Sequence, residues 1–150
     1  MKKLRIYIDT SVVGGCLDDE FKGESLKLLY MVKSGNAIFI LSGLLAREIE
    51  SAPKAVQDVL SGIPASNSDG IALNKEAEDL RDAYLAAGVV GMSQKNDALH
   101  VALATVARAD MIVSWNFKHI VHYDKIRGFN AVNLKEGYLP IEIRSPLEVV

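Results

Sequence analysis

Leu4-Arg5-Ile6-Tyr7-Ile8 is a short apolar run that stops on Asp9-Thr10-Ser11. β-Branched and aromatic residues favour an extended strand, and short polar side chains suit the loop that leaves it. The same pattern recurs along the chain. Ala37 to Leu41 carries Ile38, Phe39 and Ile40, and Met111-Ile112-Val113 leads into Ser114-Trp115-Asn116. Leu139 to Ile143 predicts a last strand, which Pro140 confines to a sheet edge or to its first residues. The stretch from Gly62 to Gly70 mixes Pro, Ser, Asn, Asp and Gly around Ile63 and is expected to be a loop with a short strand inside it. Short, nearly uniformly apolar runs are the pattern of strands covered on both faces.

Between these runs the apolar period becomes helical. Phe21 to Lys33 places Leu26, Leu29 and Tyr30 at helical spacing, and Gly35 and Asn36 end it. Ser42 is placed to cap a helix bearing Leu44, Leu45, Glu48 and Ile49. Beyond Pro53, the spacing of Val56, Val59 and Leu60 predicts a short helix. Leu73 to Ala87 predicts a longer one that Gly88 closes. The helix begun by Ser93 is apolar over most of its circumference from Ala98 to Ala107, so it must be buried on several sides. Ile126, Phe129 and Val132 mark a further helix. This alternation predicts the α/β class: a three-layer α/β/α sandwich around a central, mostly parallel sheet.

The chain has 150 residues, which suits a single domain over residues 1–150. Apolar residues make up 49% and charged residues 24%, values of a globular chain rather than a disordered one. Seventeen basic residues against nineteen acidic ones leave a net charge of -2, so a uniformly basic nucleic-acid binder is excluded and only a local basic patch remains open. One cysteine, Cys16, excludes an internal disulfide framework and a cysteine-rich zinc site. The first apolar run is too short for a signal peptide, and no run is long enough to span a membrane. The expectation is a cytoplasmic protein with no membrane partner.

In open α/β sheets ligands gather beyond the carboxyl ends of the strands. Asp9 and Asn116 stand there directly. Glu48 lies in the helix that follows the Ala37–Leu41 strand, and Asp97 in the first turns of the buried Ser93 helix. Each has a structural alternative. Asp9 can end a strand or cap a helix, and Glu48 can be a solvated helix residue with Glu50 as a rival. Asp97 can favour its helix's positive end, and Asn116 can form an Asx turn. Taken together they form a set of oxygen donors suited to Mg2+ or Mn2+. Such an ion supplies a nucleophilic water and stabilises charge on phosphoryl oxygens.

Four stretches resemble the motifs of the PIN-domain family of metal-dependent ribonucleases, in particular its toxin-like branch. They are Tyr7-Ile8-Asp9-Thr10-Ser11, Ser42 to Glu48, Asn96 to Ala104, and Ser114-Trp115-Asn116-Phe117-Lys118-His119. Their order and spacing carry the resemblance, which spans nearly the whole chain. It implies a PIN-like fold and a metal-dependent endoribonuclease. Asp9, Glu48 and Asp97 would be the acids, with Asn116 in the fourth position, where many members carry aspartate. It also implies RNA as substrate, an antitoxin protein that blocks the cleft, and a homodimer. Asparagine keeps an oxygen ligand and loses a charge. The alternative is therefore a catalytically weak or inactive PIN-like RNA-binding or regulatory protein.

Around these acids, Thr10, Ser11 and Ser114 are candidates to hydrogen-bond an acid, a metal-bound water or substrate phosphate, or to cap a loop. His100, one turn beyond Asp97, either orients a site group or packs. Trp115 either stacks on a base or packs in the core. Lys118 and His119, with His122, Lys125 and Arg127, offer phosphate contacts. A dinucleotide enzyme is disfavoured because Asp9-Thr10-Ser11-Val12-Val13-Gly14-Gly15 is no Gly-x-Gly-x-x-Gly cradle. A phospho-aspartate phosphatase is disfavoured by Ser11, which stands where a second acid would be wanted.

Overall fold

The computed structural model describes residues 2–150. Its strands are β1 (Leu4–Ile8), β2 (Ala37–Ser42), β3 (Ser68–Ile71), β4 (Met111–Val113) and β5 (Glu142–Arg144). They form one sheet in the order β3-β2-β1-β4-β5, and every pairing is parallel. The helices are α1 (Thr10–Gly15), α2 (Lys22–Lys33), α3 (Gly43–Glu50), α4 (Lys54–Ser61), α5 (Lys75–Ala86), α6 (Lys95–Val106), α7 (Tyr123–Lys135) and α8 (Pro146–Val149). The α/β/α sandwich expected from the sequence is the architecture observed.

The period of two along each strand divides the core. Ile6, Ile8, Phe39 and Val113 face one layer, where Val12 and Val13 of α1 and Leu28 and Val32 of α2 cover them. Tyr7, Ile40 and Ile112 face the other, against Leu80 and Tyr84 of α5, Ala98 to Ala104 of α6, and Phe129 of α7. Every residue of α6 from Ala98 to Thr105 is buried, as its continuous apolar surface requires. The C-terminus of α6 is tied down by Arg5, whose Nη1 donates to the carbonyls of Ala107 and Arg108 at 3.1 Å.

Several boundaries differ from expectation for identifiable reasons. The segment after Asp9 is not a plain loop but α1, too short and glycine-rich to show an apolar period. The Ser93 helix starts at Lys95, after a 3-10 turn over Met92–Gln94. The 62–70 segment is the expected loop with a short strand: Ile63 is buried in a turn after α4, and the strand is Ser68–Ile71, ending one residue beyond the stretch. The last strand also starts late. The Asn130 side chain takes both the N–H and the carbonyl of Ile141, so that residue bonds to α7 and not to β4. Helix α8 carries a readable signal in Ser145-Pro146-Leu147-Glu148, a capping box with proline at the first turn.

Candidate functional site

The chain runs outward from β1 through β2 to β3, then returns past β1 to build β4 and β5. The reversal between β1 and β4 is the position at which the ends of adjacent strands leave a crevice. Asp9 follows β1 and Ser114 follows β4, so their side chains meet there. Asp9 is buried with 4% of its surface exposed. Ser11 Oγ donates to its Oδ1 at 2.5 Å and Ser114 Oγ donates to its Oδ2 at 2.7 Å. The same hydroxyls accept from the next loop, Ser11 from Trp115 N and Ser114 from Asn116 N. Ser11 and Ser114 thus join the end of β1 to the loop after β4 through the carboxylate.

Burial pushes the Asp9 carboxyl up, against the opposing effects of the nearby His100 imidazole and of the Ser11 and Ser114 hydrogen bonds. Asp97, half-buried in the first turn of α6, is also raised by burial, and the charge of Asp9 adds to that shift. His119, His100 and the Asn116 amide act the other way. The charge of Asp9 thus opposes ionisation of Asp97, and a cation near the two carboxyls would relieve this.

Glu48 reaches the cleft from α3, whose first turn is capped by Ser42 accepting from Leu45 N. Its Oε1 accepts from Thr10 Oγ1 at 2.7 Å and from His100 Nε2 at 2.5 Å. Burial alone would raise the Glu48 carboxyl, but the His100 and Thr10 bonds outweigh it and hold it below its ordinary range. Thr10 adjoins Asp9 and His100 lies one turn beyond Asp97, so Glu48 is bound to the neighbours of both other acids. Asn116 is turned inward. Its Oδ1 accepts from His119 N at 2.9 Å, an Asx-type turn, and its amide reaches Asp97.

Among the described residues, no three His, Cys, Asp or Glu side chains stand close enough to enclose one ion. The donors are nonetheless oxygen atoms of the kind Mg2+ and Mn2+ take. Mg2+ commonly uses one or two carboxylates and keeps water in its other positions. The residues present fit that mode of binding and not a closed protein cage.

Of the other side chains singled out in the sequence, Trp115 is in the core. It stacks on Phe21 with centroids 4.2 Å apart, and its indole N–H donates to Ser25 Oγ. Lys118 is exposed and His119 half-buried beside Asn116. Cys16 is buried. Sequence reasoning missed Tyr7 and Ser42, which connect to Glu48 through His100. A signal was present for Tyr7: a buried tyrosine on a central strand needs a partner for its hydroxyl.

The three-layer α/β/α sandwich with its parallel sheet is consistent with a PIN-like fold, and it resembles solved structures of VapBC and VapC proteins. The crystal structure of VapBC2 from Rickettsia felis, bound to a DNA fragment from their promoter, matches with a TM-score of 0.55 and 16% identity, over 95% of this chain and 98% of that one. VapC20 of Mycobacterium tuberculosis, a toxin that cleaves the sarcin–ricin loop, matches with a TM-score of 0.59 and 12% identity, over 91% of this chain and 98% of that one. No protein-family model and no curated protein matches the sequence.

Proposed function

We propose that this chain is a Mg2+- or Mn2+-dependent endoribonuclease, the toxin of a toxin–antitoxin pair. The observation that carries the reading is the buried Asp9, clamped by Ser11 and Ser114 at the reversal of the sheet, with Asp97 facing it and Glu48 tied in through Thr10 and His100. Asp9, Glu48 and Asp97 would hold the cation, one or two of them directly and the rest through its bound waters, and Asn116 would steady the Asp97 side of the cleft. A bound cation would supply an acidic water and offset charge on the scissile phosphate. Water is the attacking group, because among the described residues no serine or cysteine side chain is hydrogen-bonded to a histidine ring. Lys118 and His119 flank Asn116 and would meet the RNA backbone, which gives affinity without sequence choice.

The partners follow from the same likeness. An antitoxin protein would cover the cleft. A homodimer would bury the exposed Leu26 and Tyr30 of α2 and Leu147 of α8. No described helix is long and apolar enough to cross a membrane. Light scattering that shows only monomer across the micromolar range would remove the dimer.

A second reading has its own support. Asn116 offers no fourth charge, and its oxygen is already engaged by His119 N. A PIN-like protein that binds RNA without cutting it would look the same there. Labelled single-stranded RNA incubated with the protein, with Mg2+, Mn2+ or excess chelator, separates the two. Cleavage that needs metal and is lost in Asp97→Asn supports the nuclease. Binding without cleavage under both metals supports the other.

A further inference from the structure

Behind Glu48 a line of buried polar side chains crosses the sheet, and the cleft chemistry described above does not account for it. Leu45 N donates to Ser42 Oγ at 3.1 Å, and Ser42 Oγ lies 2.8 Å from Tyr7 Oη. Tyr7 Oη lies 2.6 Å from His100 Nδ1, and His100 Nε2 lies 2.5 Å from Glu48 Oε1. Tyr7, Ser42 and His100 are buried to 3% exposure or less, whereas Glu48 is open to the cleft.

The direction of this line follows from what each group can do. A carboxylate oxygen only accepts, so His100 Nε2 carries a proton. With the imidazole neutral, Nδ1 accepts from Tyr7 and Ser42 donates to Tyr7; with it charged, Nδ1 donates to Tyr7 and Tyr7 to Ser42. In both cases the Leu45 amide donates to Ser42. Among the described residues no buried side-chain nitrogen or oxygen is left without a partner. An apolar pair would fill the same space between β1 and α6 without desolvating a hydroxyl and an imidazole. Packing therefore does not explain why these groups are polar.

We propose that His100 and Tyr7 are positioning residues for Glu48. Tyr7 engages Nδ1 and so holds the imidazole with its Nε2 proton toward Glu48. His100 and Thr10 together occupy Oε1, so Oε2 is the oxygen presented to the divalent cation. Partners that orient a ligand in this way commonly change metal affinity ~10–100-fold when removed.

This inference rests on the cation reading of the site, and Mn2+ binding tests both separately. Free Mn2+ is titrated by electron paramagnetic resonance against wild type, Tyr7→Phe, His100→Leu and His100→Gln, with a thermal melt of each. His100→Leu should weaken binding ~10–100-fold. His100→Gln, which keeps a donor facing Glu48, should recover most of it. Tyr7→Phe removes only one hydroxyl and should weaken binding severalfold, and it decides the matter if His100→Leu does not fold. Wild-type protein that leaves Mn2+ free would remove the cation reading and this inference with it. Tight wild-type binding that is unchanged in Tyr7→Phe, or a His100→Gln variant as weak as a folded His100→Leu, would overturn the positioning role alone.

Discussion

Ser114 Oγ donates to Asp9 Oδ2 at 2.7 Å although 105 positions separate the two residues. The bond is buried, and it closes the crevice between two adjacent parallel strands. Removing it leaves a carboxylate oxygen in a dry site without its donor. A buried acceptor so orphaned costs about 1–3 kcal/mol. Ser114→Ala should therefore lower unfolding stability in urea at pH 7 by about that amount. The loss should shrink in acid, where Asp9 is protonated.

Asp97 gives a pH- and metal-dependent prediction. Its carboxyl is raised above an ordinary value of 3.8 by burial and by Asp9. The folded state therefore holds that proton more tightly than the unfolded chain. The resulting stabilisation is complete below 3.8 and is lost as pH rises through the raised folded value. Asp97→Asn should consequently melt higher than wild type in chelator at pH 7, and the difference should vanish toward pH 3. About 1 kcal/mol corresponds to about 2–4 °C for a chain of this size. Added Mn2+ should stabilise wild type by about 2.7 kcal/mol at a hundred times its dissociation constant, and the variant far less. Wild type that melts at the same temperature with and without Mn2+ would contradict the site.

Glu48 has the opposite sign. Its carboxyl lies below the ordinary 4.5, so its contribution is present above that value and is lost as pH falls through the folded one. Thr10→Val removes a donor from Oε1 and should raise the Glu48 carboxyl. Carbon-13 NMR of the labelled Glu48 carboxyl reads this directly as a midpoint moved to higher pH.

For cleavage, Asp9→Asn and Asp97→Asn should each lower the rate by about 10²–10³-fold, because several kcal/mol of charge stabilisation are lost at about 1.4 kcal/mol per tenfold. Asn116→Ala should cost less. Asn116→Asp keeps the acceptor for His119 N and adds a charge beside Asp97, so it should bind Mn2+ more tightly and destabilise the metal-free protein. Single-turnover rates beside Mn2+ titrations, with folding checked by circular dichroism, decide the order.

Below the site, Gly15 lies where helix α1 meets Trp115. A Cβ there would stand 2.6 Å from Ser25 Oγ and 2.8 Å from Trp115 Nε1, on the hydrogen bond that fixes the indole. Gly15→Ala should cost about 1–3 kcal/mol, the range for overpacking a filled interior. Thermal unfolding measures it, and a shift in tryptophan fluorescence should accompany it.

The apolar runs at Leu4–Ile8, Ala37–Leu41 and Met111–Val113 were legible as strands because each is short, β-branched and bounded by polar residues. The all-round apolar surface of Ala98 to Ala107 was equally legible as a buried helix. These are local signals, set by backbone preference and by the cost of exposing apolar surface. They were enough to place Asp9, Asn116, Glu48 and Asp97 beyond strand ends or in first helical turns. Helix α1 and the exact start of β5 were not legible. Six residues carry no period, and the Asn130–Ile141 bonds are made between separate elements.

What the tertiary structure alone decided was how those groups are used. Trp115 became a core residue because Phe21 covers its ring and Ser25 takes its N–H. Asn116 turned its oxygen to His119 and its amide to Asp97. Tyr7, which reads in the sequence as one more apolar strand residue, became the link between His100 and the cap of α3. The sequence by itself determined the burial of the central strands and of the Ala98–Ala107 helix, since burial there follows from patterns a few residues long; on α2, where Leu26 and Tyr30 are exposed and Leu28 and Val32 buried, packing decided. Hydrogen bonds between side chains as much as 105 positions apart depend on which strands become neighbours, and only the sheet order settles that.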